Sequence, residues 1–443
     1  MAYHSKRSTQ KKLSLSKIPT RVMEQVVFQF LTWPVISVML LSGVLHPKMT
    51  LDKIKDDQVA LFVNLYKQCV SLHVADPIER KNNTRIMAFV ASSAAQIQTL
   101  LSFSYNSEIA PPLSNYVNNA KLDNLGQLAF SHHLLSDMSP FLKCKNLTVF
   151  SLEHLKLNKS EVETICKILE NNRNLTVLRL IDTIANGNLL ASFIKYLSNH
   201  TKLQKIHIEM ENVVFDNSEI LPTFFKNQTQ LKVLKLHGFY PYDIPKMMQT
   251  LSGLKLRSLN IDVRAYVEFH DIIQKMTTLT SLAVSGVSRM FEHASIGKLT
   301  NLKELHLANC DSHIHGDAIQ KMLPSLNLES FSISDNTWED FNSMHSVFHG
   351  LKTQTNLQSL SIVAGTSGTI YVDTLCECIS GLTRIKSIKL KNIKTSCMDS
   401  VIRVLDGFKG LTDLNLEYLR IVGTKKSSIS TDDRFREILP FFK

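Results

Sequence analysis

A six-residue pattern with apolar residues at its first, fourth and sixth positions begins at Leu147. It returns at Leu175, Leu203, Leu231, Leu256, Leu279, Leu302, Leu328, Leu357, Ile385 and Leu411. The first three steps are 28 residues each, and the later ones run 25, 23, 23, 26, 29, 28 and 26. Inside each copy the apolar positions alternate with polar ones, as in "VLRL" at 177–180, which is how one face of a short strand buries itself. Self-similarity at such a step constrains the fold strongly. A single unit is too small to bury its own apolar face, so copies must stack on one another. "LGQLAF" (Leu125, Leu128, Phe130) is a twelfth copy, and "QTLLSF" (Leu101, Phe103) and "CVSLHV" (Leu72, Val74) continue the series upstream.

One unit, Leu147 to Asn174, shows how the rest of the repeat is used. Leu147, Phe150 and Leu152 line a strand, and Leu155 and Leu157 point inward from the turn that follows. Val162, Ile165, Cys166 and Leu169 then recur at helical spacing and predict an amphipathic helix leading back to the next strand. The pattern resembles the ribonuclease-inhibitor-like class of leucine-rich repeats over roughly residues 69–443. That resemblance implies an α/β leucine-rich-repeat solenoid, a horseshoe with parallel strands inside and helices outside. It implies a protein partner on the concave face and no enzymatic activity or cofactor.

Composition places the ends of the chain. Of the net charge of +11, six positive charges (Lys6, Arg7, Lys11, Lys12, Lys17 and Arg21) precede the first acid, Glu24. Residues 1–16 therefore read as a basic flexible tail, 17–50 as a helical segment and 51–443 as the solenoid. The solenoid is close to charge balance, so nucleic acid is not an expected partner. Seven scattered cysteines, with no cluster at either end, fit a reducing compartment and a cytoplasmic or nuclear location. Sequons at Asn82, Asn146, Asn158, Asn174, Asn199 and Asn227 point the other way, but several occupy the turn where the repeat itself favours asparagine. At the other end, "DRFREILPFFK" superposes on "DSVIRVLDGFKGL" of the preceding repeat. Phe435, Ile438, Leu439 and Phe442 then form either a capping helix or the start of a longer array.

The segment before the repeats admits three readings. Ile18-Pro19 is followed by Val22, Met23, Val26, Val27, Phe30 and Leu31, then by a "TWP" break and a second apolar stretch. This resembles an F-box placed directly before leucine-rich repeats. The resemblance implies that Pro19, Val22, Met23, Val26 and Val27 dock a Skp-type adaptor and its cullin, with the repeats holding the substrate of a ubiquitin ligase. The same residues also suit a hydrophobic cap on the first repeat. Val26 to Leu45, twenty residues without a charge, is long enough for a membrane anchor. The repeat region of a nucleotide-binding immune-type sensor is a further alternative, although nothing here resembles the ATPase of such a sensor.

No nucleophile elbow, P-loop or dinucleotide fingerprint occurs. Cys310, His313, His315 and Asp317 are zinc-ligand types on one connecting stretch, which reads as a structural loop. Cys376 and Cys378 fall in a predicted helix, where residues two apart do not share a face, so one is expected inside and one at the edge. The informative surface is the outward face of the strands. Its middle column runs Ser151, Arg179, His207, Lys235, Asn260, Ala283, His306, Ser332, Ser361, Lys389, Asn415, and the column before it is rich in serine from residue 258 onward. Arg179, His207, Lys235, Asn260 and His306 are the candidate partner-binding residues. The basic start of the column favours an acidic or phosphorylated segment.

Overall fold

A computed structural model describes residues 138–421 apart from short connecting segments, together with residues 122 and 125–131 and three strands at 48–50, 71–74 and 99–103. The F-box-like residues 17–45, the sequence motif at 310–315 and the stretch 422–443 lie outside the described residues. The chain divides into two compact units, one of residues 1–155 and 163–172 and one of 156–162 and 173–443.

In the first unit five strands, β1 (Lys48–Thr50), β2 (Ser71–Val74), β3 (Thr99–Phe103), β4 (Gln127–Ser131) and β5 (Val149–Glu153), pair in parallel in chain order. The upstream copies are therefore strands, with one change of phase. The register aligns Leu100, not Leu101, with Leu72 and Leu128, and it sets Leu101 beside Ala129. Leu128, Phe130, Phe150 and Leu152 are fully buried, and the Phe130 ring meets Phe141 edge-on at 5.3 Å. Helix α1 (Lys159–Glu170) buries Val162, Ile165, Cys166 and Leu169, the residues whose spacing predicts it.

The second unit repeats strand, turn and outer segment. Its ladder holds β6 (Val177–Ile181), β7 (Lys205–Val213), β8 (Val233–Phe239), β9 (Ser258–Ala265) and β10 (Ser281–Val287), then β11 (Glu304–Ala308), β12 (Ser330–Asn336) and β13 (Ser359–Ala364). After β14 (Ile370–Tyr371) it continues through β15 (Ser387–Lys391) and, past β16 (Ile393–Thr395), β17 (Asp413–Glu417). All neighbours in this ladder pair in parallel. The intervening β14 and β16, with β18 (Arg420–Ile421), form a small second parallel ladder.

What varies between repeats is the segment between strands. The 28-residue steps starting at Leu175 and Leu203 carry α2 (Gly187–Leu197) and α3 (Ile220–Lys226), and the 25-residue step carries α4 (Ile244–Leu251). In the two 23-residue steps this shrinks to α5 (His270–Ile273) and then to a 3-10 turn, Ser295–Lys298. Full helices return as α6 (Gly316–Met322), α7 (Phe341–Leu351), α8 (Val372–Ile379) and α9 (Met398–Asp406). Each packs on its neighbour to make a second layer, so the unit is an α/β leucine-rich-repeat solenoid.

The turns explain the recurring asparagines. At each step within the second unit one backbone carbonyl accepts two consecutive N–H groups from the next repeat. Thr176 O takes those of Gln204 and Lys205 at 2.8 and 3.0 Å, and Lys386 O takes those of Thr412 and Asp413 at 2.8 and 3.0 Å. Beside this spine, exposed polar side chains join successive turns, as Lys202 Nζ donates to Asn174 Oδ1 at 2.7 Å and Asn356 Nδ2 to Asn327 Oδ1 at 2.6 Å. Just inside, two buried amides, Asn172 and Gln354, satisfy the preceding turn. Asn172 accepts from Leu147 N–H and donates to the carbonyls of Cys144 and Ile168, and Gln354 accepts from Leu328 N–H and donates to Leu323 O. The sequon at Asn174 is thus part of the repeat's own hydrogen bonding.

Candidate functional site

The outward face of the second ladder is built by alternation. In β6, Leu178 and Leu180 are sealed from solvent and Arg179 between them is exposed. The strand pairings carry that arrangement from repeat to repeat: Arg179, His207, Lys235, Asn260, Ala283, His306, Ser332, Ser361, Lys389 and Asn415 stand in one row. Arg179 and Lys235 are exposed, whereas His207, Asn260 and His306 are half-buried between their neighbours. The row on the N-terminal side runs Val177, Lys205, Val233, Ser258, Ser281, Glu304, Ser330, Ser359, Ser387 and Asp413.

Side chains at the basic end are tied to the row on the C-terminal side. His207 Nε2 lies 3.2 Å from Glu209 Oε2, its ring approaches that of His237 at 6.2 Å, and His237 Nε2 is 3.0 Å from Asn260 Oδ1. The last contact spans two strands and could not be read from a single-strand pattern. Partial burial holds the His207 imidazole below its ordinary pKa of 6.5; the bond to Glu209 opposes this, and the charges of Arg179 and Lys235 reinforce it. Burial likewise depresses His306, against a smaller upward pull from Glu304. At the far end of the face, Lys391 and Glu417 form a 3.1 Å ion pair and Ser387 Oγ donates to Asp413 at 2.9 Å.

Away from this face the cysteines are interior. Cys376 and Cys378 are both buried, which corrects the expectation of one inside and one at the edge: α8 is covered on both flanks, so positions two apart are each enclosed. Cys378 Sγ lies 3.8 Å from His349 Nδ1, and His345 Nε2 lies 3.5 Å from Thr374 Oγ1. Among the described residues no group of three His, Cys, Asp or Glu side chains is disposed to hold a metal ion, and no helix is long and apolar enough to cross a membrane. Asp317, from the zinc-ligand stretch, instead accepts from Ser346 Oγ at 2.7 Å.

No protein-family model matches the chain. Among solved structures, an internalin of Listeria monocytogenes is similar at 19% identity, with 76% of this chain and 85% of that one covered and a TM-score of 0.45. A leucine-rich-repeat protein of Leptospira interrogans aligns at 16% identity over 80% of this chain and 97% of its own, with a TM-score of 0.38. Internalin C2 of Listeria monocytogenes gives 15% identity, 53% and 86% coverage and a TM-score of 0.32. The strand registers themselves define the fold.

Proposed function

We propose that the protein is a non-catalytic recognition module that binds a protein partner across the outward face of its strand ladder. The observation that supports this is the unbroken row from Arg179 to Asn415, which presents side chains of ten strands as one continuous surface. Rigid elements beneath fix each side chain, as a binding surface requires. The test is position-resolved photocrosslinking in the source cell. A photoreactive residue at Lys235, Ser332 or Ser361 should yield protein adducts, and one at Tyr196 on α2 or Arg403 on α9 should not. Adducts from the helical positions alone would overturn the proposal.

Within that function, the reading we favour is a substrate receptor of a cullin–RING ubiquitin ligase in the cytoplasm or nucleus. It is supported by the apolar spacing of Pro19, Val22, Met23, Val26 and Val27 directly before the repeats. Affinity capture of the wild-type chain should then recover a Skp-type adaptor, and a Val26→Asp, Val27→Asp double variant should lose it while the repeats stay folded. Wild-type protein that recovers neither adaptor nor cullin would sink the ligase reading and leave the recognition module standing.

A further inference from the structure

The basic end of the strand face is more organised than a run of solvated charges. Arg179, His207 and Lys235 are in register on β6, β7 and β8, and Lys205, exposed, stands in register between Val177 and Val233. Neighbouring strands lie about 4.8 Å apart and same-face residues of one strand about 6.6–7 Å apart. The three cationic side chains and the His207 imidazole therefore reach one point above β7. Between β6 and β9 neither row holding these cations contains an acid, since their other members are Val177, Val233, Ser258 and Asn260. In the third row, the Glu209 carboxylate is bonded to His207. Between β6 and β9, positive charge thus gathers in these two rows and the Glu209 carboxylate stands beside them on the C-terminal side.

We propose that Arg179, Lys205, His207 and Lys235 form a receiving site for one acidic group of the bound polypeptide, a carboxylate or a phosphoryl, and that the site takes up a proton as it fills. This rests on the strand face being the recognition surface. Guanidinium and ammonium donors suit an anion with several oxygens, and charge-assisted bonds to it are about twice as strong as neutral ones. The proton follows from what surrounds His207. Arg179 and Lys235 repel a charge on its ring, Glu209 favours one, the His237 ring stands edge-on at 6.2 Å and Asn260 is neutral. An anion above the ring adds to the pull of Glu209 and tips the balance toward the charged imidazole. By linkage, whatever stabilises the protonated ring binds more tightly as pH falls below neutrality.

The experiment uses the full-length chain and a displayed library of random peptides, followed by anisotropy titrations of the enriched peptides. Enriched sequences should contain an Asp or Glu whose replacement by Asn or Gln weakens binding at least about tenfold, roughly the effect of one charge-assisted contact. Replacing that acid with phosphoserine separates the two sources: tighter binding assigns a phosphoryl and weaker binding a carboxylate. An Arg179→Ser, Lys235→Ser double variant should show the same loss. Affinity of wild type should rise between about pH 7.5 and about pH 6, and His207→Gln should remove that rise while keeping binding at the higher pH. Ser332→Arg with Ser361→Arg, which obstructs the other end of the face, separates the two claims. Peptides blocked by that pair but indifferent to the cation variants would overturn the anion site and leave the recognition surface standing. Peptides indifferent to both sets would overturn both. Failure to enrich any peptide, or displacement of acidic peptides by duplex DNA at lower concentration, would also refute the anion site.

Discussion

At position 178 a leucine is sealed from solvent, and one residue later Arg179 is open to it. Adjacent positions on one strand thus face opposite demands, and substituting each with aspartate should separate them. Leu178→Asp places an unpaired charge against Ile206 on the next strand and should cost about 3 kcal/mol or more. Arg179→Asp should change stability by no more than about 0.5 kcal/mol. Denaturant unfolding of the two variants checks this, and equal losses would mean the strand register is wrong. The buried thiols make a second prediction at this scale. Burial, helped by nearby carboxylates, pushes Cys166 and Cys376 up from 9.0 to about 12. The thiolate is the reactive form, so with iodoacetamide at about pH 8 these two cysteines should be alkylated only after unfolding, as peptide mapping will show. The same shift carries a sign for stability. The contribution is complete below the unfolded value of 9.0 and is lost as pH rises from there toward about 12.

Strands were legible in the sequence because alternation and spacing both mark them, and the leading leucines from Leu147 to Leu357 are buried as that pattern demands. The phase at "QTLLSF" was not legible, since adjacent Leu100 and Leu101 satisfy either register and only pairing with Leu128 chooses between them. Nor was the small ladder of β14, β16 and β18, whose two- and three-residue strands are too short to carry a period. The helical layer holds a constraint of its own at two glycines. A Cβ on Gly316 would fall 1.7 Å from the backbone oxygen of Ser343, so α6 and α7 meet there only because the side chain is missing. A Cβ on Gly350 would meet a terminal methyl of Leu323 at 2.7 Å and the backbone of Gln320 only at 3.1 Å, a milder clash than the one at Gly316. Gly316→Ala should therefore cost about 2 kcal/mol or more, and Gly350→Ala distinctly less, with part of its loss offset by helix propensity. Thermal melts of the pair should keep that order; a reversed order would refute the backbone contact.

For the whole molecule, the candidate surface was half written in the spacing. Any residue between two repeat leucines must face outward, so the order Arg179, His207, Lys235, Asn260 could be read without coordinates. The bonds from His207 to Glu209 and from His237 to Asn260 could not, because they depend on rotamers and on distances across strands. The paired N–H groups on each turn carbonyl have a mechanical consequence. In the second unit they fasten one repeat to the next and to nothing more distant, so a load applied at residue 421 and resisted at residue 173 meets identical fasteners one at a time. The last of them holds the strand whose repeat leucines, Leu414 and Leu416, are half-exposed where their counterparts upstream are buried. Stretched by optical tweezers, this unit should peel from that end in low, regular steps. Each would release about 80–100 Å of chain, the extended length of one repeat of 23 to 29 residues. A single cooperative rupture would contradict it. Such a chain yields under tension as a ratchet does, tooth by tooth, and gives up its remote end while the charged strands β6 to β8 stay intact.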